Sequence, residues 1–248
     1  MHRFFVLEEN ILENTIKIVG TDVNHIKNVL RLSIEDKVEV IGSKYNYDCE
    51  ISHISKDEIL LLIKEVKDKT NESNLRISLF QGLPKSSKME TIIQKCTELG
   101  VYNFYPVSTN RSVVKINDMK KEEKKVQRWQ LIAEEASKQS KRDIIPKVEN
   151  ILGFNDMMEK IKDKVVIVPY ESEEKLSIKG LKASLENVDE INIIIGPEGG
   201  FEEYEIEKLK NSGAHIVTLG PRILRTETAG VVTATILMYE FGDLGVIK

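Results

Sequence analysis

The chain has 248 residues, 41% of them apolar and 31% charged, with a net charge of -4, which excludes disordered and fibrous classes. Its longest apolar runs, such as Ile59–Ile63, have five residues, far short of the roughly 20 that cross a bilayer; the opening MHRFFVLEEN turns acidic too early for a signal peptide, so a cytoplasmic protein is expected. Two cysteines, Cys49 and Cys96, exclude a disulfide scaffold and a cysteine-rich zinc site.

Phe4–Leu7 and Thr15–Val19 are strand-like. Thr21 or Asp22 is placed to cap a helix with Ile26, Val29 and Leu30 at i, i+3 and i+4. Lys37–Ile41 alternates charged and β-branched residues, as a half-buried strand does. Gly42-Ser43 marks a turn, and Asp48–Ile54 with Glu58–Val66 predicts a hairpin turned near Lys56-Asp57. Short strands around one helix predict a small β-barrel domain over residues 1–70. The polar stretch DKTNESN, Asp68 to Asn74, reads as the linker.

A second domain, residues 74–248, alternates strands with helices. Leu75–Leu83 is a strand, followed by helix Met89–Leu99, whose Met89, Ile92, Ile93, Cys96 and Leu99 share a face stopped by Gly100. Asn103–Val107 is a strand and about Lys121–Ser140 a long helix. Strand Val165–Pro169, a helix near Leu176–Leu185 and strand Ile191–Ile195 follow. Helix Glu202–Asn211 ends at Gly213, before strand Ala214–Leu219 and a final helix from about Thr226 to Phe241. The alternation implies an α/β fold with a mostly parallel sheet covered on both faces.

Charge is unevenly spread. Arg111–Lys147 holds 11 positive and 6 negative residues, whereas residues 148–221 hold 8 and 15. The basic stretch is a candidate footprint for phosphate, although the mixed run Lys120–Lys125 reads as a solvated helix face. Arginine is scarce, 8 against 28 lysines, so an arginine can mark a place needing a planar, bidentate donor.

The unusual residues concentrate in two loops. Gly196-Pro197-Glu198-Gly199-Gly200 follows strand Ile191–Ile195, and Gly220-Pro221-Arg222-Ile223-Leu224-Arg225-Thr226-Glu227-Thr228-Ala229 follows strand Ala214–Leu219. Both sit at the carboxyl ends of strands taken to be adjacent, where open α/β sheets bind ligands. Glycines there let backbone groups approach a ligand, and the prolines stiffen the loops. Neither loop has a nucleotide-phosphate pattern, and Glu198 would repel a pyrophosphate. A cationic or neutral ligand fits better, such as S-adenosylmethionine with its positive sulfur.

IIIGPEGGF followed by LGPRILRTETA, with MHRFFV, HIKNVLRLSIEDKVEV, QGLPKSSKMETIIQKCTELGV, TNRSVVK and RWQLIAEEASKQSKRDIIPKV before them, closely resembles the bacterial 16S rRNA (uracil-N3)-methyltransferases, the RsmE family of the SPOUT class. Glu35 stands where that family usually has glycine. The resemblance covers essentially the whole chain. It implies a PUA-like RNA-binding β-barrel, then a SPOUT domain with a C-terminal trefoil knot that binds S-adenosylmethionine. It also implies a homodimer acting on the small ribosomal subunit, with no metal and no membrane.

Carried over residue by residue, the resemblance places the cofactor on Gly196, Pro197, Glu198, Gly199, Gly200, Leu219, Gly220, Ile223, Leu224, Arg225, Thr226, Glu227 and Ala229, with Glu171 from the more variable third knot strand. Uracil N3–H is largely protonated at neutral pH, so transfer needs a stabiliser for the charge on O2 and O4 and an acceptor for the proton. Arg225 is the first choice for the stabiliser; Glu227 and Glu198 are the candidate acceptors, either of which can instead orient the cofactor. Arg3, Arg31, Arg111 and Arg142 fall inside the matching blocks and are expected to contact RNA, with His25 a further candidate. Trp129 is assigned to packing, and the broadly apolar last helix to the core and a dimer interface. Two other readings stand beside the enzyme: a non-catalytic RNA-binding assembly factor on the same fold, and a SPOUT methyltransferase with another RNA target.

Overall fold

The computed structural model describes residues 1–112, 119–185 and 188–246; Val113-Val114-Lys115 of the TNRSVVK block lie outside the described residues. Contacts divide the chain into two units, Met1–Glu72 with Lys138–Ile144, and Ser73–Ser137 with Ile145–Lys248.

In the first unit, strands β1 (His2–Phe5), β2 (Thr15–Val19), β3 (Lys37–Ile41), β4 (Asn46–Ile54) and β5 (Glu58–Lys67) pair in the order β1-β3-β4-β5-β2. β1 runs parallel to β3, and the other pairs are antiparallel. The period-two pattern turns Ile16, Ile18, Val38, Val40, Cys49, Ile51, Ile59 and Leu61 onto one buried core around Phe4. Register shifts at Asp48/Cys49 and Ile51/His53 add twist to β4 and curl the sheet around that core.

Helix α1 (Thr21–Asn24) runs directly into a π-helical turn, His25–Leu30. Gly20, not Thr21 or Asp22, holds the N-cap. The i→i+5 turn is wider than an α-turn and rotates later side chains about the axis. Val23 and Ile26 are therefore buried and Leu30 partly so, while Val29 is 65% exposed. The apolar face expected at Ile26, Val29 and Leu30 is thus corrected to Val23, Ile26 and Leu30.

The segment Lys138–Ile144 completes this unit through charge. The Arg3 guanidinium donates to Asp143 Oδ1 at 3.1 Å and to the Arg142 carbonyl at 3.0 Å. Asp143 also accepts from the Asn46 amide at 2.7 Å and from the backbone N–H groups of Thr70 and Asn71 at 3.0 and 2.9 Å. Arg142 pairs with Glu72 at 2.6 Å. Arg3 and Arg142 keep 5% and 4% of their surface. They are corrected here from RNA contacts to internal ion-pair partners, because a buried guanidinium that already holds a carboxylate has no face left for a phosphate.

In the second unit, β6 (Arg76–Gly82), α2 (Lys88–Glu98), β7 (Asn103–Ser108), α3 (Met119–Gln139), β8 (Lys147–Val148), β9 (Leu152–Gly153), α4 (Phe154–Lys160) and β10 (Val166–Pro169) come first. A 3-10 helix over Ile178–Ser184, then β11 (Glu190–Ile195), α5 (Glu203–Asn211), β12 (His215–Val217) and α6 (Thr226–Phe241) follow. The strands pair in the order β12-β10-β11-β6-β7-β8, with β9 beside β7, and every pair is parallel. Ile77, Leu79, Ile191 and Ile193 pack on one side with Ile92, Trp129 and Leu237 of α2, α3 and α6. Phe80, Val168 and Ile194 pack on the other with Met157 and Leu209 of α4 and α5. Both faces are covered, so the strands read as continuous apolar runs. β8, β9 and α4 add to the expected elements, and the helix expected near Leu176–Leu185 is a 3-10 helix.

Asp143 gives the first unit a measurable dependence on acid. Burial pushes its carboxyl up, but the Asn71 N–H, the Asn46 amide and Arg3 outweigh burial and hold it below the usual carboxylate value. Its contribution to stability is complete above the ordinary pKa of 3.8 and is lost as pH falls below that through the depressed folded value. Asp143→Ala leaves Arg3 with Glu39 alone and takes the acceptor from the Asn46 amide and the Thr70 and Asn71 N–H groups, so a loss of about 3–5 kcal/mol is expected in urea unfolding at neutral pH. A loss well under 1 kcal/mol would remove the clamp from the account.

Candidate functional site

Three loops leave the carboxyl ends of β10, β11 and β12 and meet around one cavity of about 920 Å³. β10 lies between β11 and β12. The two Gly-Pro loops therefore flank a third strand and are not neighbours, which corrects the expected adjacency. Its own end, Pro169-Tyr170-Glu171, supplies part of the wall. Every expected cofactor residue except Glu227 lines the cavity: Glu171, Gly196–Gly200, Leu219, Gly220, Ile223, Leu224, Arg225, Thr226 and Ala229. Glu227 stands outside the lining and is reached through Lys88, which lines the cavity.

The loops are held from below by one hydroxyl. Thr226, the first residue of α6, donates to the Gly196 carbonyl at 2.6 Å and accepts from the Gln81 amide at 2.8 Å. Gln81 is fully buried at the end of β6. The next residue, Gly82, passes so close to Pro197 that a Cβ would sit 2.6 Å from the proline ring. Any side chain there would push the Gly196–Gly200 loop off its strand. The loop then turns back, with the Gly200 N–H donating to the Pro197 carbonyl at 2.9 Å. Gly200 has φ +67, a conformation that other residues adopt only at a cost.

Arg111 braces the outer side of the same loop. Its guanidinium donates to the Gly199 carbonyl at 3.1 Å and to Glu202 at 2.9 Å. Glu205, fully buried, accepts from the N–H groups of Asn110 and Glu202 at 3.1 and 2.9 Å, fixing both the loop that carries Arg111 and the start of α5. Arg111 was expected on RNA; the structure gives its guanidinium this bracing contact.

Two carboxylates share one ammonium at the rim. Lys88 Nζ lies 3.0 Å from Glu198 Oε1 and 3.2 Å from Glu227 Oε2. Glu198 also accepts the Lys85 N–H at 3.0 Å. Burial pushes the Glu198 carboxyl up, but Lys88, its own N–H and that of Lys85 hold it below the usual range. Glu227 is likewise pushed up by burial and held down by its own N–H and Lys88. Arg225 is exposed; its carbonyl accepts the N–H groups of Thr228 and Ala229 at 2.8 Å, and its guanidinium makes no hydrogen bond or ion pair among the described residues.

In the first unit, His25 is half-buried at the start of the π-turn, and Arg31 is exposed just after it with φ 54. Cys49 and Cys96 are buried, and burial pushes both thiols up to about 12, so neither is a thiolate nucleophile near neutrality. Trp129 is buried in the core of the second unit. Among the described residues no group of histidine, cysteine or carboxylate side chains is arranged to hold a metal, and no helix is long and apolar enough to cross a membrane. Gln81, Lys88, Glu202 and Glu205 were missed in the sequence. Gln81 and Lys88 do lie in the block QGLPKSSKMETIIQKCTELGV, but their partners are more than a hundred residues away.

An RNA methyltransferase domain family matches residues 71–238, and an RNA methyltransferase PUA domain family matches residues 19–64. The ribosomal RNA small subunit methyltransferase E of Bacillus subtilis is 37% identical over 97% of this chain and 97% of its own length. The protein of the same description from Mesomycoplasma hyopneumoniae is 33% identical over 95% of this chain and 98% of its own. Among solved structures, the ribosomal RNA small subunit methyltransferase E of Neisseria gonorrhoeae, bound to S-adenosyl methionine, is 28% identical, covers 98% of this chain and 99% of its own, and has a TM-score of 0.88.

Thr226→Val keeps the shape of the side chain and removes its hydroxyl, taking the partner from the Gly196 carbonyl and from one N–H of the Gln81 amide, whose nitrogen keeps its bond to the Gly82 carbonyl at 3.1 Å. A stability loss of about 1–3 kcal/mol is expected in chemical denaturation, as for other buried polar groups left without partners. A valine variant as stable as the parent would show that the loops are held by something else.

Proposed function

The chain belongs to the ribosomal RNA small subunit methyltransferase E family, and we propose that it methylates N3 of a uridine in 16S rRNA with S-adenosylmethionine as the donor. The observation that carries this reading is the meeting of the β10, β11 and β12 loops around one cavity, in a chain that matches the family along nearly its full length.

The cavity suits that donor. Its volume lies within the range of small-molecule sites. Its walls are backbone-rich at Gly196–Gly200 and Thr218–Arg225, and Glu171, Glu173, Glu174 and Glu198 make it attractive to a cation. When bound, S-adenosylmethionine supplies a methyl group on positively charged sulfur, and that carbon–sulfur bond breaks with its electron pair left on sulfur. The chain must make N3 of the uridine nucleophilic. Glu198, the one of the two candidate acceptors that lines the cavity, is the proton acceptor in this reading. Arg225, whose exposed guanidinium makes no hydrogen bond or ion pair among the described residues, offsets the charge that develops on O2 and O4. Glu227, set back from the lining, holds Lys88.

The expected PUA-like RNA-binding domain, residues 1–70, is read onto the first unit, which also takes in 138–144, and the methyltransferase domain expected over 74–248 onto the second, with Arg31 and His25 as RNA contacts. The trefoil knot of the SPOUT class belongs to the same reading, in which the connection from β11 through α5 to β12 skips β10 in the sheet. Ile223 and Tyr239, 85% and 67% exposed, support a homodimer that covers them. A cytoplasmic location follows from the ribosomal substrate.

Titration of S-adenosylmethionine into the protein by calorimetry, followed by transfer of labelled methyl to small-subunit RNA and mass mapping of the base, tests the reading. Binding without transfer would favour the assembly-factor alternative, and transfer to another base or RNA would redirect the substrate. Arg225→Ala is expected to lower kcat by about 10²–10³. Arg31→Ala is expected to reduce the salt dependence of RNA binding by roughly one phosphate contact; an unchanged slope would take Arg31 off the RNA.

A further inference from the structure

Lys88 opens α2 and points its ammonium at two carboxylates that belong to different loops. Glu198 sits after β11 on the cavity wall, and Glu227 sits in the first turn of α6 behind it. Their surroundings differ. Glu198 also accepts the Lys85 N–H, whereas the buried Oε2 of Glu227 faces Lys88. The charged groups facing this pair are Lys88 from α2 and, for Glu227, Arg225 at the N-cap of α6.

We propose that Lys88 is a positioning residue that tunes Glu198 by dividing its ammonium between Glu198 and Glu227. The inference rests on the reading of Glu198 as the proton acceptor. With the ammonium shared, Glu198 stays ionised and anchored to the β6–α2 loop. That same cation makes it a weak base, because a nearby positive charge favours the ionised carboxylate. Movement of the ammonium wholly onto Glu227 removes that cation from Glu198. Glu198 then takes the proton from uracil N3, the N3–H electron pair stays on nitrogen, and Lys88 keeps its own protons throughout. Glu227 is the counter-charge that makes the movement affordable, since without it the ammonium has no second carboxylate to settle on. At 3.0 and 3.2 Å the ammonium is already within ion-pair distance of both carboxylates.

The test needs neither donor nor RNA. Glutamate carboxyl groups of the free protein are titrated by 13C NMR, with Glu198 assigned by loss of its signal in Glu198→Gln. In Lys88→Gln the Glu198 midpoint is expected to move up in pH. In Glu227→Gln, where Lys88 is left to Glu198 alone, it is expected to move down. Lys88→Arg, which keeps the charge, should hold the midpoint between those two. The acid limb of the kcat profile on small-subunit RNA should shift in the same two directions. A Glu198 midpoint that moves in neither variant, or in the same direction in both, overturns the proposal. Opposite shifts in a wild-type protein that transfers no methyl would reject the functional reading while leaving the Lys88 coupling in place. Thermal melts of all the variants identify any that fail to fold; Lys88→Met or Glu227→Ala then takes the place of the unfolded variant, with the same shift expected and an unmoved Glu198 midpoint overturning the proposal.

Discussion

A single hydroxyl, that of Thr226, ties together the end of β6, the loop after β11 and the start of α6. These segments lie far apart in the chain, and each would be a mobile connection alone. Threonine suits the position because its hydroxyl donates in one direction while accepting from another. Buried away from water, both hydrogen bonds are costly to lose. The cavity takes its shape from this joint: Gly82 packs under Pro197, Arg111 braces Gly199, and the Lys88 cluster closes the rim. Rigid support beneath a loop is what keeps backbone groups aimed at a ligand without a cost paid at each turnover.

Much of the fold was legible in the sequence because the strands obey simple periods. Thr15–Val19, Lys37–Ile41 and the last helix have the expected bounds. The failures have physical causes. β8 and β9 are two residues each, too short to show any period. The π-turn hid Val29 because an i, i+3, i+4 template assumes 3.6 residues per turn. The order of β10, β11 and β12 was not visible, since chain order does not give sheet order when a connection skips a strand.

The site was legible at the level of loops and not at the level of side-chain partners. The glycines and prolines announce a backbone-lined cavity wherever they occur after strands. What Arg3, Arg111 and Arg142 do was not announced. A scarce arginine marks a need for a bidentate donor, but a carboxylate inside the fold meets that need as well as a phosphate outside it. Lys88 was indistinguishable from its many lysine neighbours until Glu198 and Glu227 were brought beside it.

The Arg3–Asp143 clamp also constrains the order of events during synthesis. The first unit draws on residues 1–72 and again on 138–144. While the ribosome is still making the intervening stretch, the curled sheet can form with Arg3 held by Glu39 at 2.9 Å, but without its bonds to Asp143 and the Arg142 carbonyl. An N-terminal unit usually matures first as the chain emerges; here its last charged contact must wait until Asp143 has left the exit tunnel. A fragment cut at the apparent linker would leave Arg3 with Glu39 alone and the buried Asn46 amide without Asp143, so a stable excised version needs the short 138–144 segment supplied with it.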